Sequence, residues 1–139
     1  MTDGDLARFV TAQDEDGIWQ RALAEIRAGR KESHWMWFVL PQHVALGHSP
    51  TAKLYGISGV DEARAYLAHP VLGPRLLRTA QAVLASDTDP QVVFGPVDAA
   101  KLRSSMTLFA AADPGEPVFA AVLQKFYDGE PDPATLELL

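Results

Sequence analysis

The sequence predicts an all-α fold: one compact multihelical domain over residues 1–139, built from about six to seven short helices. Three observations carry this. Apolar residues recur at helical spacing, most clearly in Ile18, Trp19, Ala22, Leu23 and Ile26. Few runs alternate with the period of two that a half-buried strand requires. Ten glycines and ten prolines interrupt the chain often enough to keep every helix short.

The elements follow in order. Leu6, Phe9 and Val10 open the chain with helical spacing. After an acidic break, the Ile18–Ile26 stripe makes a second helix, stopped by Gly29, with Arg27 near the negative end of its dipole. Ser33 can cap a short helix through Trp35–Leu40, which Pro41 ends because a residue before proline avoids helical geometry. Residues 42–59 read as an irregular connection with one helical turn around Thr51–Leu54. Ser58 and Asp61 resemble a capping box opening a helix on Val60, Ala63 and Leu67, closed by His69-Pro70. Pro74 suits the first turn of the next helix, which carries Leu76, Leu77, Ala80, Val83 and Leu84. Val92–Phe94 reads as a short extended piece. Asp98 opens a helix on Leu102, Met106 and Phe109, Pro117 starts another on Val118–Phe126, and Asp132-Pro133 starts a last turn.

Composition narrows the function classes. Hydrophobic residues at 47% and charged residues at 22% are ordinary for a soluble globular protein. The absence of cysteine excludes a disulfide framework and a thiolate metal site, and it fits a cytoplasmic location. The N-terminus has no basic region followed by an apolar run, and no stretch approaches the roughly 20 apolar residues of a membrane span. No membrane partner is therefore expected. A net charge of −6 argues against duplex nucleic acid as a partner, yet leaves room for a local basic pocket.

The segment GRKESHWMWFVLPQ, Gly29–Gln42, holds two of the three tryptophans. A helix apolar nearly all round is a buried helix, so Trp35, Trp37 and Phe38 read first as core. Their polar company supports a second reading, a binding wall. Trp35 or Trp37 would stack a base-like ring, Lys31 or Arg30 would reach a phosphate, and Gln42 would read a polar edge, with His34 beside them. Ser33 at a helix N-terminus would offer backbone N–H groups to an anion. In KLRSSMTLF, Lys101, Ser104 and Ser105 are spaced to meet on one helix face, which is either solvated or lines a polar pocket. Arg75 and Arg78 lie three apart on one helix, Arg75 close to its N-terminus. The four histidines lack metal-ligand spacing, Ser104-Ser105 lacks the glycines of a nucleophile elbow, and phosphate-loop and dinucleotide-fold glycine patterns are absent. Neither a metal nor a cofactor is implied.

With GRKESHWMWFVLPQ, Tyr55-Gly56-Ile57, EARAYLAHPVLGPRLL and KLRSSMTLF in view, the chain resembles a small bacterial family of unknown function with a mycobacterial member. Members of that family sometimes carry the label calpastatin. The resemblance implies a mainly helical single domain and no activity. The hydrophobic stripes speak against the disordered inhibitor that the label suggests. A second, shorter resemblance is to the NADAR families, helical proteins that process ADP-ribose linkages. It implies Lys101 and Met106 on a binding helix, with Trp35 or Trp37 for stacking, and carries over no general acid or base. Glu32 is the candidate carboxylate if an N-glycosidic bond is hydrolysed. Two functions follow: a small module for a nucleotide-like or ADP-ribose-like ligand, or a noncatalytic helical module that engages a protein partner.

Overall fold

The structure is a computed structural model that describes the backbone of residues 2–139 and the side chains of residues 6–139. Its regular elements are helices: α1 (Thr2–Asp14), α2 (Ile18–Ala28), α3 (Met36–Val39), α4 (Pro50–Leu54), α5 (Val60–Ala68), α6 (Leu72–Ala85), α7 (Pro90–Val93), α8 (Pro96–Ala112), α9 (Pro117–Phe126) and α10 (Pro133–Glu137). The all-α class holds, and the helices outnumber the expected six to seven. The surplus lies in α4, α7 and α10, each of four or five residues. A piece of little more than one turn has no room to show an apolar stripe.

Several local expectations are realised. Gly29 ends α2 at φ 80°, where its N–H reaches the Glu25 and Ile26 carbonyls. Asp132 caps α10 by accepting from the Thr135 N–H, and Glu116 and Pro117 start α9. Others are corrected. Val92 and Val93 do not extend, because Asp89 accepts from the Gln91 N–H and Pro90 starts the turn of α7. Ser33 does not cap the aromatic helix, whose N-cap position is Trp35. Ser58 and Asp61 do not form a capping box; Glu62 Oε1 instead accepts from the Ser58 N–H at 2.9 Å.

The longest helix organises the rest. α8 packs against α5, α9, α7 and α10, while α6 packs against α5, α9 and α2. Surrounded in this way, α8 buries Ala99, Leu102, Ala112 and every residue of 104–109. Aromatic rings carry the core from α1 to α9. Phe9 meets Tyr66 edge-on at 5.2 Å, Tyr66 meets Phe109 at 5.4 Å, and Phe109 meets Phe119 at 5.8 Å. A bridge across the 42–59 connection has the Ile57 N–H donating to the Gln42 carbonyl and the Val44 N–H to the Ile57 carbonyl, and Arg8 of α1 donates to its Leu54 and Gly56 carbonyls. Gly56 makes this approach feasible, since a Cβ there would lie 2.5 Å from Val44 Cα.

Candidate functional site

Between α2 and α3 the chain passes through Gly29–Trp35, and one side chain of α2 shapes it. Glu25 Oε1 accepts from the Glu32 N–H at 2.8 Å, the Ser33 N–H at 3.0 Å and Trp35 Nε1 at 2.9 Å. Its Oε2 accepts from the Ser33 hydroxyl at 2.7 Å. Burial works to raise the carboxyl pKa, but these donors outweigh it and set the value at about 2, below the ordinary 4.5. The Lys31 N–H donates to the Val93 carbonyl at 2.8 Å, which ties the same segment to α7.

This clamp delivers Lys31 to the start of α8. Its ammonium stands 3.0 Å from Asp98 Oδ2, and Lys101 stands 3.4 Å from Asp98 Oδ1, so one carboxylate is shared by two lysines. All three side chains are largely withdrawn from solvent, with Lys31 only 9% exposed. Lys101 Nζ also lies 3.5 Å from the ring centroid of half-buried Trp37, and Lys31 Nζ lies 5.1 Å from that of Trp35. Trp35 itself is fully buried and meets Phe94 edge-on. The corner thus has an aromatic base, two ammonium groups and one carboxylate, with an excess of one positive charge.

Of the residues singled out in the sequence, Lys31, Trp35, Trp37 and Lys101 come together here. Trp35 is core, and its indole N–H is already taken by Glu25. Ser33 is bound to that same carboxylate. His34 and Glu32 are exposed, Glu32 beside Arg30 at 3.8 Å, and Gln42 is half-buried next to the bridge. The other polar candidates have different commitments. Ser104 donates to the Ala100 carbonyl and to Asp132 Oδ2, joining α8 to α10. Ser105 is fully buried and its hydroxyl has no hydrogen-bond partner among the described residues. Arg75 pairs with Asp14 at 2.8 Å and donates to Gln13 Oε1, while Gln13 Nε2 donates to the Phe38 carbonyl and the Tyr66 hydroxyl. Burial pushes that phenol well above its ordinary pKa.

Sequence reasoning missed Asp98 and Glu25 as partners. Asp98 had a signal, since it precedes Lys101 by three residues on one helix, the spacing of a side-chain pair. Glu25 had none, because nothing local tells that a carboxylate on α2 receives the indole of Trp35.

Comparison with known proteins agrees with this fold. A solved structure, the conserved hypothetical protein Rv1873 from Mycobacterium tuberculosis, is 48% identical over 97% of this chain and 96% of its own, with a TM-score of 0.93. No curated protein matches the chain. The expected resemblance to a family of unknown function with a mycobacterial member thus holds. The family model described as "Protein of unknown function (DUF1810)" matches residues 3–139, and the chain belongs to that family.

Proposed function

We propose that the corner of Lys31, Trp37, Asp98 and Lys101 binds a small nucleotide-like ligand, with ADP-ribose-like molecules the first class to test. The observation that carries this reading is Lys101, held 3.5 Å over a half-buried indole while it shares Asp98 with Lys31. A planar base can stack on an indole, and ammonium groups answer phosphate charge. An excess cation at a partly withdrawn site attracts an anion more strongly than it would in open water. His34 and Gln42 would add polar contacts at the rim. Hydrolysis would be a further step, with Glu32 as its weak candidate base; a Glu32→Gln variant that keeps full turnover would remove it.

A second reading, a noncatalytic interaction module, draws on Val92 and Val97, which are 70% and 69% exposed on either side of the α7–α8 joint. Thermal unfolding with ADP-ribose, NAD and guanosine nucleotides separates the two. A ligand at about 100 times its Kd should add about 2.7 kcal/mol, raising Tm by roughly 9 °C in a domain of this length. Folded Lys31→Ala and Trp37→Ala variants should lose the shift. The absence of a shift with every ligand would sink the first reading and turn the search to a protein partner.

A further inference from the structure

Most basic side chains of this acidic protein are neutralised. Arg8, Arg30, Lys31, Arg64, Arg75, Lys101 and Arg103 each face a carboxylate within 4.0 Å. Lys125 donates to the Leu84 and Ser86 carbonyls at 2.6 and 2.8 Å. Arg27 and Arg78 have no carboxylate partner among the described residues, and both line one groove between α2 and α6. Its volume is about 300 Å³, with Ile26 and Ala82 as apolar lining and Gln81 and Ser86 as polar lining. Among the described residues no acidic side chain lines it.

We propose that this groove binds a small phosphomonoester whose organic part is compact and apolar. Two arginines lining one groove that no carboxylate lines favour a dianion over a monoanion. Each offers the planar fork that matches phosphate oxygens. Arg78 is braced for this, its guanidinium carbon 5.7 Å from the Trp19 ring centroid. The volume lies at the lower end of small-molecule sites, and Ile26 and Ala82 supply apolar contact for the ester group. The C-terminal ends of α2 and α6 point negative dipole toward this region, which would oppose an anion. That opposition is reduced on both helices. Lys125 covers the last carbonyls of α6, and the Gly29 and Arg30 N–H groups cover those of Ile26 and Glu25.

The test is an NMR titration of the full chain with phenyl phosphate, benzoate and phenol, and with phosphatidic-acid vesicles as a separate arm. Phenyl phosphate should move the amides of Gln81, Ala82 and Ser86 and saturate below about 10 mM. Benzoate should bind more weakly and phenol should leave those amides unmoved. Arg27→Gln and Arg78→Gln should each weaken phenyl phosphate about tenfold or more, whereas Arg21→Gln should not. Arg27→Gln keeps the test decisive if loss of Arg78 disturbs Trp19. The proposal is overturned by a lack of saturable shifts, by binding that both groove variants retain, or by binding to the vesicles with none to soluble phenyl phosphate. Shifts confined to the Lys31–Lys101 corner would overturn it as well and would support the other site instead.

Discussion

Glu25 is one carboxylate with four donors, and its replacement should be costly for a position outside the core. Glu25→Gln keeps the shape but removes the charge that draws the Ser33 and Trp35 donors together. We expect a loss of about 2 kcal/mol in urea unfolding at pH 7. The same group shapes the acid response. Its folded pKa of about 2 lies below the ordinary 4.5, so the unfolded chain binds the proton more readily. Glu25 therefore stabilises the fold fully above pH 4.5, and this contribution fades as pH falls toward 2. His43 acts earlier in the same direction. Burial lowers its pKa and Nδ1 accepts from the Ala45 N–H, so the neutral ring is favoured and stability starts to fall below the ordinary 6.5. Urea midpoints measured from pH 7 to pH 2 should fall across the range, with Glu25→Gln flattening the lower part. Asp98 gives a test of coupling. Asp98→Asn leaves Lys31 nearly buried without its counter-charge and should cost about 1–3 kcal/mol, whereas Lys31→Met with Asp98→Asn should cost less than the sum.

Between helices, close approach decides more than propensity does. Gly73 lies in the first turn of α6, where a Cβ would overlap the Leu67 carbonyl oxygen at the end of α5. Gly73→Ala should therefore destabilise by about 1–3 kcal/mol although alanine is the better helix former, and a lowered urea midpoint would register it. His69 secures the same junction, its Nδ1 accepting from the Val71 and Leu72 N–H groups as α6 begins. The longer helices were legible because two or more turns display a stripe against a polar background. α7 was misread as extended because Val92-Val93 has strand propensity and its helical turn depends on Asp89 and Pro90. The serines of α8 illustrate the limit of face reasoning. Lys101, Ser104 and Ser105 share a helix, but neighbours on several sides lead Lys101 to Asp98, Ser104 to Asp132 and Ser105 into the interior.

For the molecule as a whole, the ring contacts from Phe9 through Tyr66 and Phe109 to Phe119 couple α1, α5, α8 and α9 into one core. Phe109 is fully buried in the middle of that series. Phe109→Ala should cost about 3–5 kcal/mol, a large share of the 5–15 kcal/mol typical of a domain, and lower Tm accordingly. Among the described residues no helix is long and apolar enough to cross a membrane.

The helical class, the stops at Gly29 and Pro41, and the helix starts at Pro117 and Asp132-Pro133 were determined by the sequence alone. Each rests on forces between residues a few positions apart: backbone conformation, side-chain capping and periodic burial. Tertiary structure alone decided that Trp35 would be core while Trp37 stays half-buried under Lys101, and that Asp98 would serve two lysines. It also decided that Arg27 and Arg78 would face one groove. Those outcomes join residues tens of positions apart, and only the packing of α2 against α6, and of the 29–35 segment against α7 and α8, brings them to one groove and one corner.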